Sequence, residues 1–249
     1  MRQLQRRPND TGVAQVDPLD LVHNIMPNPG LFFTGTNTNV GKTYVTALVA
    51  KRLVAAGKRV GVYKPAASGC AGNETDDPFV LWEAAGRPAT IELVCPQRFT
   101  APLAPHLAAR AEGREVDVEL LRSGIDFWRD RSDIILVEGI GGLMSPVSDD
   151  EYVADLAHDF GFPLIVVAPN TLGVINQTLQ TLITASTFRD GLDVAGIVLN
   201  DLHNSRDSND PSAKSNAAEL SARCIPPLLA TVGNDFDCVV DWMSLAGRS

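Results

Sequence analysis

The first residues that could do chemistry form a cluster of small and polar side chains between Phe33 and Thr43, with the sequence FTGTNTNVGKT. A short apolar run precedes the cluster and a segment with helical spacing follows it, which predicts a strand-to-helix turn. Backbone N–H groups at such a turn converge, and the helix start adds partial positive charge, so the turn suits an anion such as phosphate. Lys42 would reach the outer phosphates, and the Thr43 hydroxyl would hold Mg²⁺.

The match to the strict phosphate-loop pattern G-x-x-x-x-G-K-[ST] is close but imperfect. That pattern places glycine at position 36, where this chain has Thr36, with Gly35 one residue earlier. An ordinary glycine-containing turn before a lysine is the alternative interpretation. The order of strand, loop, Gly-Lys-Thr and amphipathic helix favours the phosphate site.

A carboxylate and a second lysine follow two other apolar runs. Glu138 ends the run IILVE and is followed by GIGG, whose glycines allow a ligand to approach the backbone. Its carboxylate could bind Mg²⁺ directly or through water. Lys64, in VYKPAASG, is a second lysine, and nucleotide binding usually requires fewer. The additional lysine indicates that a second anion, or charge during phosphoryl transfer, must be neutralised. The alternatives are a strand-end carboxylate without function and a solvated lysine.

Two adjacent aspartates lie in the acidic loop NETDDP. One of them could complete a Mg²⁺ shell with Thr43 and Glu138, because this ion prefers a few oxygen ligands together with phosphate. The other could cap the helix that Pro78 is expected to begin. We assign Asp76 to the metal and Asp77 to the helix cap.

The elements that must position these residues alternate between short apolar runs and helical segments from residue 31 onward. Such runs, separated by helices, predict a parallel sheet covered on both faces, with ligands at the carboxyl ends of the strands. The runs expected to be strands are GLFFTGT, KRVGVYKP, ATIELVCPQ, DIILVEGIGG, FPLIVVAPN, VAGIVLND and PPLLATV. The residues that follow such runs are Lys42, Lys64, Glu138, Asn170 and Asn200.

Composition limits the classes of function. The 249 residues are 45% hydrophobic and 20% charged, and the net charge of −9 argues against a nucleic-acid partner, which would need a basic surface. The longest apolar runs are too short for a membrane span, so no membrane partner is expected. Four scattered cysteines suit a reducing compartment and a cytoplasmic location.

Two regions are expected along the chain. Residues 1–29 have few large apolar side chains and form an N-terminal extension that we expect to be flexible. Residues 30–249 form a single α/β domain of the P-loop NTPase type, with a parallel β-sheet and helices on both faces. We find no internal repeat and no linker that divides this domain.

The ordered motifs together resemble those of the dethiobiotin synthetase family over about residues 31–232. These motifs are TGTNTNVGKT, YKPAASG, TD before a helix, APLAPH, VEGIGG, NTLGVINQ and VLND. The resemblance implies a homodimeric P-loop ligase of biotin biosynthesis, with Mg²⁺ and with ATP as co-substrate. It would convert 7,8-diaminopelargonic acid, CO₂ and ATP into dethiobiotin, ADP and phosphate.

The resemblance also implies a role for each matching residue. Lys64 and Lys42 would be catalytic, Thr43, Asp76 and Glu138 would bind Mg²⁺, and Asn200 and Asp201 would contact adenine. The other nucleotide-binding residues would be Asn39, Val40, Gly41, Tyr44, Gly139, Ile140 and Gly141. Ser68 would contact the diamine, and the substrate carboxylate would bind the neighbouring subunit's helix start at Gly173, Val174, Ile175 and Asn176.

Three points limit or rival this interpretation. The family's segment that closes over adenine should follow PLLATV, but this chain has GNDFDC there, so those residues are left unassigned. A regulatory P-loop ATPase of the partition or positioning type, acting as a dimerisation switch, is the main alternative function. Such proteins carry a further lysine early in the loop, which GTNTNV lacks. A ligase domain separated from a glutaminase would be expected to have a longer chain.

Overall fold

The computed structural model describes residues 29–201, 210–233 and 240–248. The predicted N-terminal extension therefore lies outside the described residues except for Pro29, as does most of the segment GNDFDC. The strands in the described part of the chain are β1 (Gly30–Gly35), β2 (Val60–Tyr63), β3 (Ala66–Ala67), β4 (Gln97–Arg98), β5 (Ile134–Gly142), β6 (Leu164–Pro169), β7 (Val194–Asn200) and β8 (Leu228–Val232).

Six of these strands form one parallel sheet in the order β2-β5-β1-β6-β7-β8. The phosphate-loop strand β1 lies between β5 and β6, so the residues that follow all three strands are neighbours. Leu31, Phe32 and Phe33 are fully buried, although successive side chains of a strand point to opposite faces. Both faces of the sheet are therefore covered, as the continuous apolar runs predicted.

Helices connect the strands and supply that cover. The helices are α1 (Lys42–Ala55), α2 (Asp77–Ala84), α3 (Ile91–Val94), α4 (Pro105–Ala111), α5 (Val118–Ser123), α6 (Asp126–Arg129), α7 (Val153–Phe160), α8 (Val174–Thr187), α9 (Ala213–Arg223) and α10 (Trp242–Ala246). None of the helices in these ranges is both long and apolar enough to cross a membrane.

Helix α1 begins directly after the phosphate loop because Gly41 can adopt the left-handed conformation that the turn requires. Gly41 has a φ of 87° and directly precedes Lys42, the first residue of the helix. On one side of the helix Val45, Val49 and Ala50 are buried at the spacing of an amphipathic helix. This packing fixes the direction in which the first turn presents Lys42 and Thr43.

The prediction of a long strand over ATIELVCPQ is wrong. Ile91–Val94 form one helical turn, and only Gln97–Arg98 are extended, paired with Ala66–Ala67 in a separate two-stranded sheet. The apolar residues suit either structure, since a run this short has no decisive period. The turn has a role at the site, because the Val94 carbonyl accepts a hydrogen bond of 2.8 Å from the Lys64 backbone N–H.

Candidate active site

The phosphate loop is held against the end of β7. Asn200 Nδ2 donates to the Val40 carbonyl at 2.9 Å, and a Cβ at position 41 would lie 1.9 Å from that same nitrogen. Only glycine therefore fits at position 41, for space as well as for its positive φ. Asn39 also has a left-handed backbone, with φ of 60°. At the other end the Thr36 backbone N–H donates to the Val167 carbonyl at 3.0 Å, so contacts hold the loop at both ends.

A cavity of about 400 Å³ opens beside this loop. It brings together residues from the phosphate loop, the ends of β2, β5 and β7, and the first residue of α2. The lining residues are Thr38, Asn39, Gly41, Lys42, Thr43, Lys64, Ala67, Ser68, Asp77, Ile140, Gly141 and Asn200. Residues that the sequence placed at separate strand ends therefore share one site.

Lys64 lies between two carboxylates in this cavity. Its Nζ is 2.8 Å from Asp77 Oδ2 and also contacts Glu138 Oε1. Thr43 Oγ1 donates to the same Glu138 oxygen at 2.8 Å. The lysine side chain is 3% exposed and the glutamate 0%, so this is a buried ion pair, and Asp77, whose side chain is 51% exposed, joins it from the rim of the cavity.

The two charged partners keep Lys64 protonated. Burial by itself would lower the pKa of Lys64, but Glu138 and Asp77 together raise the pKa above its ordinary value. Burial likewise favours a higher pKa for Asp77, yet the adjacent Lys64 holds the pKa of that carboxyl below its usual range. Lys64 and Asp77 are therefore both ionised near neutral pH.

Lys42 has a different environment from Lys64. Its Nζ lies 3.4 Å from the Asn37 carbonyl oxygen, and the described residues provide no ion pair for it. Burial lowers the pKa of Lys42 from 10.5 to about 8, with Lys64 acting in the same direction and Glu138 and Asp77 in the opposite one. An anion that binds in the phosphate loop would supply the partner that this ammonium lacks.

The oxygens beside Lys64 suit a divalent cation. Glu138 Oε2 is buried without a hydrogen-bond partner among the described residues, and the Thr43 hydroxyl and the Asp77 carboxylate lie at the same end of the cavity. The described ranges contain no group of three or more His, Cys, Asp or Glu side chains arranged as a metal site. An ion held here would depend on ligand phosphates and water for its other ligands, as Mg²⁺ commonly does.

The structure gives the two aspartates the opposite positions from those predicted. Asp76 lies outside the cavity, and its carboxylate accepts hydrogen bonds from the backbone N–H groups of Ala71, Gly72 and Asn73 at 2.8–3.3 Å. Asp76 is also the N-cap residue of α2, so the expectation that Asp77 caps this helix is wrong. Asp77 is instead the carboxylate that lines the cavity.

The remaining residues predicted at the nucleotide end are divided between the cavity and its supports. Ile140 and Gly141 line the cavity, as does Ser68, the residue predicted to contact the diamine. Gly139 does not; a Cβ there would lie 2.9 Å from Val153 of α7 and 3.0 Å from Phe32 of β1. Tyr44 points away from the phosphate loop, and its hydroxyl lies 3.4 Å from the Gly233 carbonyl after β8.

Asn200 and Asp201 follow β7 but face different surroundings. Asn200 is buried against the phosphate loop and lines the cavity. Asp201 is half-buried outside it, and its Oδ1 accepts a hydrogen bond of 2.8 Å from Asn170 Nδ2. Sequence reasoning placed Asn170 at a strand end but assigned it no role.

The predicted carboxylate site is not part of this cavity within one chain. Gly173, with φ of 94°, precedes α8, and none of the four residues from Gly173 to Asn176 lines the cavity. Gly173 and Asn176 are exposed, and the preceding Leu172 is 80% exposed. This helix start therefore faces outward from the chain that carries it.

Sequence reasoning missed two polar residues that line the site, besides the apolar Ala67. Thr38 lines the cavity, and it was not distinguished from the other small residues of the loop. Asp77 was recognised as a carboxylate, but which of two adjacent aspartates faces inward depends on where the helix begins. The Asp-Asp doublet before a proline was the available signal, and it could not decide between them.

Comparison with known proteins finds similarity over most of the chain. The AAA domain family model matches residues 29–238. The ATP-dependent dethiobiotin synthetase of Rhodopirellula baltica is 43% identical over 233 residues, which span 88% of this chain and 89% of the relative. The corresponding Bacillus subtilis protein is 35% identical and spans 80% of this chain and 85% of its own length.

A solved structure supports the fold alone. A chain from Borrelia burgdorferi, provisionally assigned as a plasmid partition protein and bound to AMPPNP, aligns with a TM-score of 0.51 at 11% identity. The alignment covers 89% of this chain and 95% of that one. The fold is thus shared widely, whereas identities of 35–43% over most of the length are shared with one family of enzymes. The chain belongs to the ATP-dependent dethiobiotin synthetase family.

Proposed function

We propose that this protein is a cyclo-ligase that forms dethiobiotin from 7,8-diaminopelargonate, CO₂ and ATP, with release of ADP and phosphate. The observation that carries the proposal is the presence of two buried lysines, Lys42 and Lys64, in one cavity with Ser68 and the phosphate loop. One lysine suffices for a bound nucleotide. The second leaves positive charge for another anionic reactant beside the γ-phosphate.

Thr43, Asp77 and Glu138 are the residues that we propose hold Mg²⁺. The support is the buried, unpartnered Glu138 Oε2, together with the Thr43 hydroxyl that contacts the other oxygen of the same carboxylate. Bound there, the ion would neutralise phosphate charge and orient the γ-phosphoryl group. Asp76 is left as the anchor of its own loop.

The reaction consists of three steps, in each of which the bonds formed and broken and the protons lost are accounted for. A substrate amine attacks CO₂ and loses a proton, which gives a carbamate. A carbamate oxygen then attacks the γ-phosphorus, the bond to the β-phosphate oxygen breaks, and a mixed carbamic–phosphoric anhydride and ADP result. The second amine attacks the anhydride carbonyl, phosphate leaves with the bonding electron pair, and loss of a proton closes the ureido ring.

The residues of the cavity meet the charges that these steps create. Lys42, whose ammonium donates to the Asn37 carbonyl and forms no ion pair among the described residues, would take the β- and γ-phosphates. Lys64, held by Asp77 and Glu138, would stabilise the carbamate and the transferring phosphoryl group. Ser68 would hydrogen-bond the diamine.

We further propose that the active unit is a homodimer in which α8 of one subunit serves the cavity of the other. The start of α8, where Gly173 and Asn176 are exposed with Leu172 beside them, is suited to an anion because it is a helix N-terminus, and it lies outside its own cavity. A second copy would bring it to the substrate carboxylate.

We place the reaction in the cytoplasm, which suits scattered cysteines and a demand for ATP.

The direct test is to measure dethiobiotin formation by the purified protein with diaminopelargonate, bicarbonate and Mg-ATP. We expect ATP hydrolysis to require both other substrates. A partition-type switch would instead hydrolyse ATP without them and would form no dethiobiotin. The latter result would overturn the proposed function.

A further inference from the structure

Asn200 is tied to the phosphate loop by its side chain, a contact that the proposed chemistry does not use. Its Nδ2 donates to the Val40 carbonyl at 2.9 Å, and the residue is 1% exposed. The hydrogen bond joins the end of β7 to a loop that lies 160 positions earlier in the sequence. The resemblance to the synthetase family implies that Asn200 contacts adenine, which is a different role.

The end of β7 is a rigid anchor for this contact because strands lie on both sides of it. Asn200 is in register with Pro169 of β6 and with Val232 of β8. Its carbonyl also accepts a hydrogen bond of 2.7 Å from the Asn170 N–H. Strands inside a sheet open less readily than loops do, so the side-chain hydrogen bond restrains the loop more than the strand.

The carbonyl that Asn200 holds belongs to a peptide group of the phosphate loop. Because a peptide group is planar, a fixed Val40 carbonyl also fixes the direction of the Gly41 N–H. The backbone N–H groups of such a loop are donors to phosphate, so their directions determine how well phosphate binds. Val40 is 3% exposed, and its carbonyl would lose a buried partner without Asn200.

The position of Val40 also affects Lys42. The Val40 side chain packs over Gly35, where a Cβ would lie 2.8 Å from Val40 Cγ2 and 3.1 Å from Lys42 Nζ. Lys42 follows Val40 by two residues and is the first residue of α1. A reoriented Val40–Gly41 peptide would therefore disturb the start of the helix that carries this ammonium.

We propose that Asn200 is a positioning residue that holds the Val40–Gly41 peptide in the orientation that binds phosphate. The inference rests on the proposed function in one respect, namely that the phosphates of ATP occupy this loop. Asn200 then acts on the phosphate end of the nucleotide, whatever base the nucleotide carries. Its loss should weaken ATP and a base-free polyphosphate by the same factor, whereas the loss of an adenine contact would weaken ATP alone.

Gly41 allows a second test of the same contact. A Cβ at position 41 would lie 1.9 Å from Asn200 Nδ2 but 3.9 Å from Asn200 Cβ. The added methyl of Gly41→Ala and the Asn200 amide cannot both keep their places, so the hydrogen bond to Val40 is lost in that variant. Asn200→Ala should therefore weaken ATP binding in the wild-type background and change it less than about twofold, or improve it, in the Gly41→Ala background.

The experiment is direct titration of the full-length protein with ATP and with tripolyphosphate, in the presence of Mg²⁺ and well below the Tm of each variant. For Asn200→Ala we expect both dissociation constants to rise about tenfold, as for one lost hydrogen bond whose buried partner is left behind. Asn216→Ala is the control. Asn216 is 3% exposed, and its Nδ2 donates to Asn170, Thr171 and Ser212, all outside the loop. This variant should lower Tm and keep both constants within about twofold of wild type.

Several results would overturn the inference. A rise for ATP alone would make Asn200 a contact to the base, and no rise for either ligand would leave it without a role in binding. Equal rises in Asn200→Ala and Asn216→Ala, multiplicative losses when Asn200→Ala is combined with Gly41→Ala, or no binding of millimolar tripolyphosphate to the wild type would also contradict it.

Two further outcomes remain decisive. If Asn200→Ala does not fold, Asn200→Ser is measured in its place, and if Gly41→Ala does not bind ATP, the comparison of the two ligands decides. Equal losses for both ligands in Asn200→Ala, in a protein whose wild type makes no dethiobiotin, would overturn the proposed function and still support this role of Asn200.

Discussion

Lys64 Nζ lies 2.8 Å from Asp77 Oδ2, a contact that joins the end of strand β2 to the first residue of helix α2. Glu138, at the sheet's neighbouring strand β5, holds the same ammonium from another direction. A buried lysine held in this way keeps both its charge and its position. It supplies fixed positive charge before any reactant binds, which is the arrangement expected of a group that stabilises a transition state.

Replacement of Lys64 should therefore affect turnover more than nucleotide binding. In Lys64→Gln we expect kcat to fall roughly a hundredfold or more, as for the loss of about 3 kcal/mol of transition-state stabilisation. ATP affinity should remain within a few-fold of wild type, because Lys42 is left to contact the phosphates. The measurements are dethiobiotin formation and direct ATP titration. Exposed Lys58→Gln is the control, and a Lys64→Gln variant with wild-type kcat would refute the catalytic role.

The adjacent aspartates allow a matched test of the metal site. Asp77→Asn should raise the Mg²⁺ concentration that gives half-maximal activity about tenfold, because one charged ligand is lost from the cavity. Asp76→Asn should lower Tm through its loop, with the Mg²⁺ dependence unchanged. Chelation of divalent ions should abolish turnover in the wild type. If Asp76→Asn alone shifts the Mg²⁺ dependence, the assignment from sequence is right and ours is wrong.

The parallel sheet and the phosphate loop could be predicted from the sequence because their signals are local. Continuous apolar runs at β1, β5, β6 and β7, separated by helical segments, favour strands buried on both faces, and Gly-Lys-Thr before a helix favours a phosphate loop. The carboxyl ends of parallel strands lie at one edge, so the placement of Lys64 and Glu138 at that edge could be expected, whereas their contact depends on the pairing of β2 with β5.

The remaining features depend on contacts that no short pattern contains. The inward position of Asp77 follows from the start of α2 one residue before Pro78, which is set by how Asp76 binds the 71–73 backbone. The single helical turn at Ile91–Val94 is selected by tertiary packing, including the hydrogen bond of 3.2 Å from Trp128 Nε1 to Leu93. The hydrogen bonds of Asn170 with Asp201 and Asn216 join residues that are distant in the sequence, so no local pattern predicts them.

The low pKa of Lys42 predicts that ATP binding weakens in alkaline solution. The pKa of Lys42 is about 8, so at lower pH the free protein carries the ammonium. At higher pH the neutral amine must take up a proton before it can pair with phosphate. The dissociation constant for ATP should therefore rise by up to tenfold per pH unit above that value. Lys42→Arg, if it binds ATP at all, should lack this rise, since a guanidinium keeps its charge. A flat profile for the wild type up to pH 10 would contradict the assignment of Lys42 to the phosphates.

The outward-facing start of α8 predicts complementation between two inactive variants. Lys64→Ala removes a group from the cavity, and Asn176→Ala alters the helix start that we propose reaches the partner's cavity. In an equal mixture after full subunit exchange, half of the dimers are mixed and each has one intact composite site, so about a quarter of wild-type activity should return.

A mixture of Lys64→Ala with Lys42→Ala is the control and should stay inactive, since both residues line the cavity of one chain. Exchange is verified by mass spectrometry of differently labelled subunits. If exchange is complete and the first mixture is as inactive as the control, the carboxylate site lies within a single chain.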